Sequence, residues 1–133
     1  MKLIVCLDNQ NGMQFHQRRQ SSDVAVCKRM LELAGDCNLF MNNCSAYLFA
    51  GLTGNIQIRE DFLEKAGPDD FCFLENNDVL PYLHTVSKVY VFRWNRDYPA
   101  DIHFPVPLVN GRLIEEFAGN SHERITLEVY SYE

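Results

Sequence analysis

Residues 3–29, LIVCLDNQNGMQFHQRRQSSDVAVCKR, decide how the rest of the 133-residue chain is read. Leu3-Ile4-Val5-Cys6-Leu7 is continuously apolar and partly β-branched, the pattern of a strand covered on both faces. Asp8-Asn9-Gln10-Asn11-Gly12 ends it with turn chemistry. Met13 to Gln20 is predicted as a loop carrying Phe15, His16, Arg18 and Arg19. Ser21, Ser22 or Asp23 then caps a helix. Val24, Cys27, Met30, Leu31 and Ala34 recur at helical spacing and give it one apolar stripe. Gly35 stops it.

Working outward, Asn38-Leu39-Phe40-Met41 reads as a short strand, Asn42 to Ser45 as its exit loop, and residues 46–50 as a short apolar helix. A weak strand follows at 55–58. Residues 60–66 form a helix with acids in its first turn, which the macrodipole favours. Phe71 to Leu74 is a buried strand. Asn76-Asn77 caps a helix with Val79, Leu83 and Val86 on one face, and Lys88 to Phe92 is a strand. After a loop at 95–107, strands near 112–118 and 124–132 follow without a helix between them. Strands alternating with helices imply βαβ crossovers and a parallel sheet. The expected fold is therefore a single α/β domain over residues 1–133. Its mostly parallel twisted sheet is flanked by helices and ends in an antiparallel C-terminal hairpin.

The composition is that of an ordinary globular chain, with 47% apolar and 23% charged residues. A net charge of −6 argues against a nucleic-acid-binding surface over the whole molecule. No run reaches the roughly 18 apolar residues of a membrane span. The N-terminus shows no basic, cleavable leader, so a cytoplasmic location is expected. The five cysteines, Cys6, Cys27, Cys37, Cys44 and Cys72, contain no C-x-x-C pair and read as free thiols. Cys44 alone has polar neighbours, which leaves a reactive thiol there as the alternative. His16, His84, His103 and His122 stand apart in sequence, so no metal site is expected.

In sheets of this kind ligands bind beyond the carboxyl ends of the strands. That places a candidate site at the loops 8–23, 42–45 and 75–77. Arg18 and Arg19, the one dense positive feature of an acidic chain, suit a small anionic ligand, or are solvated surface. Asp23 either caps its helix or holds a heterocycle through charge-assisted hydrogen bonds. Asn42, Asn43, Ser45, Glu75 and Asn76 can bind a ligand at their loops or simply cap the helices there. Trp94, with Tyr90, Phe92 and Tyr98, reads as core, as a subunit contact or as a stacking surface. The terminal hairpin offers an edge for a second copy of the chain.

Laid out in this order, the chain resembles dihydrofolate reductase along nearly its whole length. Leu3 to Asp8 with Asn11-Gly12-Met13 is similar to that family's first strand and active-site loop. Asp23 to Arg29 resembles the helix that opens with the pterin-binding acid. Asp101-Ile102-His103-Phe104-Pro105 resembles the family's Asp-Thr-x-Phe-Pro, and residues 126–130 its closing strand. The resemblance implies a reductase-like fold, a pterin-like substrate and NADPH. The departures point the other way. Asn42-Asn43-Cys44-Ser45 stands where the family has Gly-Arg-x-Thr, and Leu74-Glu75-Asn76-Asn77 where it has a Gly-Gly pair. A carboxylate beside a phosphate site is repulsive, and side chains fill space that glycine leaves open. No arginine near Thr53-Gly54-Asn55 matches the one that anchors the folate glutamate, and Phe92 replaces a threonine.

The expectation is a reductase-like protein without NADPH-dependent activity and without a cofactor, binding a small anionic or heterocyclic ligand or a protein partner. The alternatives are a diverged NAD(P)H-dependent oxidoreductase acting on a pterin-like substrate, and an interaction module using an aromatic sheet edge.

Overall fold

A computed structural model describes residues 1–132. In chain order the elements are β1 (Lys2–Leu7), β2 (Gly12–Phe15), β3 (Arg18–Arg19), α1 (Val24–Ala34), β4 (Leu39–Met41) and α2 (Asn43–Ala46). β5 (Ile56–Ile58), α3 (Phe62–Lys65), β6 (Phe71–Phe73), β7 (Lys88–Arg93), β8 (Ile102–His103), β9 (Gly111–Phe117) and β10 (Ile125–Ser131) complete them. Single 3-10 stretches lie at Tyr47–Phe49 and Leu80–Thr85.

Seven strands form one sheet in the order β5-β4-β6-β1-β7-β10-β9. The first five pair in parallel, and β10 is antiparallel to both β7 and β9. β1 sits in the middle, which explains its unbroken apolar run. Leu3, Val5 and Leu7 face one core with Leu74, Val89, Val91 and Phe62. Ile4 faces the other, with Phe71, Phe73, Phe92, Ile125 and Leu127. Each such side chain, fully removed from water, contributes about 1.5–3 kcal/mol.

Helix α1 lies over the second core. Its buried stripe is Val26, Cys27, Met30 and Ala34, whereas Val24 is exposed. The predicted stripe therefore began one turn too early: Asp23 is the N-cap, and Val24, at the first helical position, points outward. Gly35 ends the helix at φ +56°, its N–H bonded to the Leu31 carbonyl.

Three further expectations need correction. Residues 13–20 are not a loop but a hairpin, with Gln14 opposite Arg19 and Phe15 opposite Arg18. Its two-residue turn, His16 (φ 51°) and Gln17 (φ 63°), is left-handed at both positions, the form that matches strand twist. β8 pairs on the other edge of β2 to make a second, three-stranded sheet. The element after Asn76-Asn77 is a 3-10 turn with no buried side chain of its own. Val79 and Val86 flank it and are buried, while Leu83 is exposed. With three residues per turn, and Pro81 lacking an N–H, the predicted α-helical face cannot form. Finally, Trp94 and Phe92 are core, and the exposed positions of the outer strand β9 are Arg112, Leu113, Ile114 and Glu116. That edge is aliphatic and charged, not aromatic.

Among the described residues no helix is long and apolar enough to cross a membrane.

Candidate functional site

The loops leaving β1, β4 and β6 meet beyond the carboxyl ends of the parallel strands. Asp8 anchors the first. Its buried carboxylate accepts from the Gln10, Gly12 and Tyr98 N–H groups and from Gln20 Nε2. Burial pushes its pKa up, but these donors prevail and hold it below the usual carboxylate value. A Cβ on Gly12 would stand 2.8 Å from Ala100 Cβ and 2.6 Å from Gln20 Nε2, so a side chain here would push aside the neighbouring chain at Ala100 and the Gln20–Asp8 hydrogen bond.

The hairpin delivers Arg19 to Glu75, the residue two beyond β6. Arg19 Nε donates to Glu75 Oε2 and Arg19 Nη2 to Glu75 Oε1, both at 2.8 Å, a two-pronged ion pair. Arg19 Nη2 also donates to the Cys44 carbonyl at 3.0 Å, and Ser45 Oγ donates to Glu75 Oε1 at 2.7 Å. All three loops are thus tied at one point. Above that point opens a cleft of about 540 Å³. Besides the ion pair itself, Gln14, Gln17, Arg18, Cys44, Tyr47 and Asn76 line it. Tyr47 is 82% exposed. Arg18 makes no ion pair or side-chain hydrogen bond among the described residues. A second groove of about 310 Å³ runs on the far side of Glu75, between Gln14, residues 76–79 and Ile102-His103.

Four of the predicted site residues, Arg18, Arg19, Glu75 and Asn76, therefore line one cleft. The other four do not. Asn42 is buried: its Oδ1 accepts from the Ser45 N–H, and its Nδ2 donates to Asn76 Oδ1 and Asn77 Oδ1. The Asn43 N–H turns to Glu60. Ser45 is buried under the Arg19–Glu75 pair. Asp23 is only 4% exposed and fully employed inside the protein. Its carboxylate accepts from the N–H groups of Ala25, Asn120 and Ser121, from Ser121 Oγ, and from His122 Nδ1 at 3.0 Å. Against the upward push of burial, this set holds the Asp23 pKa far below the ordinary value.

Sequence reading passed over His122. It is buried, stacked on Trp94 with ring centroids 4.4 Å apart, and bonded to Asp23, Ser21 and Tyr98. About a hundred residues separate it from Ser21 and Asp23 (|i−j| = 101 and 99), so no local pattern could have flagged it. Gly119 is the one signal of a tight turn there: a Cβ would stand 2.3 Å from Asp23 Oδ2.

Beneath the ion pair, between α1 and the sheet, little room remains. Two spaces of about 10 Å³ each, both bordered by Cys6, Ser21, Glu75 and Trp94, are all that separates these groups. Desolvation raises the Cys6 thiol well above its usual pKa and lifts Cys27 to about 11.

This arrangement of sheet, hairpins and loops is the dihydrofolate reductase-like fold, an α/β architecture with a mixed sheet. The chain is similar to dihydrofolate reductase from Enterococcus faecalis complexed with NADP(H) and RAB-propyl, with a TM-score of 0.57. The similarity covers 99% of this chain and 96% of that one at 8% sequence identity, so what the two share is the fold. No protein-family model matches the sequence, and no curated protein is significantly similar to it.

Proposed function

We propose that the cleft above the Arg19–Glu75 pair binds a small planar anion, and that the protein does so without nicotinamide-dependent hydride transfer. One observation carries this reading. The Glu75 carboxylate and its bound guanidinium occupy the stretch that aligns with the resembled family's Gly-Gly pair, while Arg18 stands unpaired at the rim of an open cleft. A dinucleotide brought to this point would meet a carboxylate and side chains in place of bare backbone. The exposed Tyr47 ring offers a planar ligand a face to stack on, and Arg18 offers its charge a partner. The remaining space between α1 and the sheet is too small for a pterin ring, which a drug-sized pocket of several hundred Å³ would accommodate.

The test is thermal unfolding in the presence of benzoate, indole-3-carboxylate, inorganic phosphate, folate, NADPH and NADH. A ligand at 100 times its dissociation constant stabilises the fold by about 2.7 kcal/mol, a rise of several degrees. The expected result is a rise with the aromatic carboxylates that disappears in Arg18→Ala. A rise with NADPH and none with the carboxylates would replace this reading by the alternative, a diverged oxidoreductase. The 310 Å³ groove beside residues 76–79 favours that alternative as the space a cofactor would take.

A further inference from the structure

Ser21, His122 and Asp23 stand in the order of nucleophile, base and carboxylate. Ser21 Oγ lies 2.9 Å from His122 Nε2, and His122 Nδ1 lies 3.0 Å from Asp23 Oδ2. An ionised carboxylate only accepts hydrogen bonds, so Nδ1 carries the imidazole proton. Nε2 then turns its lone pair toward the Ser21 hydroxyl. Tyr98 Oη approaches the same nitrogen at 3.2 Å, and Ser121 Oγ approaches Nδ1 at 3.2 Å. The Ala25, Asn120 and Ser121 N–H groups keep Asp23 ionised, and the Trp94 ring fixes the plane of the imidazole.

Burial follows the same sequence. The side chains of Asp23 and His122 are 0% and 2% exposed, whereas Ser21 is only partly covered. A buried carboxylate, a buried imidazole in a fixed tautomer and a reachable hydroxyl are what nucleophilic acyl transfer requires, on whatever fold they occur. Arg19 and Glu75, joined as an ion pair, both line the small space beside Ser21.

We propose that Ser21 is an activated nucleophile and that Ser21, His122 and Asp23 hydrolyse small esters. Ser21 Oγ adds to the ester carbonyl carbon as its proton passes to His122 Nε2. The C–O bond to the alcohol then breaks, and the alcohol leaves with the proton from His122. Water, deprotonated by the same nitrogen, attacks the acyl-Ser21 carbonyl and releases the carboxylic acid, restoring the hydroxyl. Asp23 is the positioning residue. The enclosed room beside Ser21 is water-sized, enough for the hydrolytic water, and the ester comes to Ser21 from its partly exposed side. This assignment stands independently of what occupies the cleft above Arg19.

The test treats the whole chain with a small fluorophosphonate. The Ser21 Oγ–P bond forms, the P–F bond breaks, fluoride leaves and the proton goes to His122. Intact mass and a peptide map locate the adduct, and p-nitrophenyl acetate hydrolysis is followed alongside. The expected result is one adduct on Ser21 in the wild type and in Ser22→Ala, none in Ser21→Ala, and acetate hydrolysis falling to background only in Ser21→Ala. A wild type that takes up no phosphonate, or carries it on another residue, overturns the proposal; so does hydrolysis that survives in Ser21→Ala. The wild-type map decides the matter even where a variant folds poorly.

Discussion

Replacing Asp23 by Asn isolates what this carboxylate does for the fold. Asparagine caps helices as well as aspartate does, so the bond from the Ala25 N–H is kept. What is lost lies on Oδ2, which receives the Ser121 N–H, Ser121 Oγ and His122 Nδ1. An amide NH2 placed there opposes three donors. Hydrogen bonds to a charged group contribute about 1.5–3 kcal/mol each but do not add fully. Removing one side of a buried charged contact costs about 3–5 kcal/mol. We expect a loss of about 3–4 kcal/mol at pH 7, or roughly 10 °C in Tm for a chain of this length. Urea unfolding at a series of pH values reads it directly.

The pH dependence carries the sign. The Asp23 pKa is depressed in the folded state. Its contribution is therefore complete above the unfolded value of about 3.9 and is lost as pH falls through the folded value. The gap between wild type and Asp23→Asn should narrow below pH 4. Asp8 is present in both proteins and cancels. A gap under about 1 kcal/mol, or one that stays constant far into acid, would refute the assignment of Asp23 as the tie between α1 and the 119–122 turn.

Other perturbations test the remaining contacts. Glu75→Ala should cost about 1–2 kcal/mol in urea unfolding and, by releasing Arg19, should tighten aromatic carboxylate binding in the cleft; weaker binding would mean that Arg19 faces away from it. Asn42→Ala removes both a helix cap and the link to Asn76 and Asn77, and should lower stability by about 2 kcal/mol by the same assay. With a thiol reagent under native conditions, exposed Cys44 should react first, while Cys27 and Cys72, the latter raised to about 12, should react only on unfolding. Peptide mapping of the modified chain gives the order.

The parts of this molecule that sequence disclosed are those whose neighbours are supplied by the pattern itself. The apolar run of β1 announces a central strand because both of its faces must be covered, and the alternation of Ile125, Leu127 and Val129 announces the hairpin. The hairpin at 12–19 escaped because its turn is His16-Gln17, not the Asn-Gly that marks such turns. The 3-10 turn after Asn77 reads as an α-helix in the sequence because a few apolar residues satisfy either period. Topology alone brings the segments after β1, β4 and β6 together, but it does not give the partnerships within them. Glu75 joins Arg19 across 56 positions, and Asp23 joins His122 across 99. Charges that look available in a linear chain are committed to each other once it folds.

The central position of β1 also governs how the chain must assemble. Lys2 lies opposite Phe71 on one side and Lys88 on the other, so its two neighbours are made 69 and 86 residues after it. At translation rates of about 5–20 residues per second, the first strand waits on the order of 5–15 s for its second partner. Parallel pairings between such distant segments close slowly in any case. The segment that specifies the architecture most plainly is thus the one left unpaired longest, and its bare apolar backbone is where stalled chains would adhere to one another.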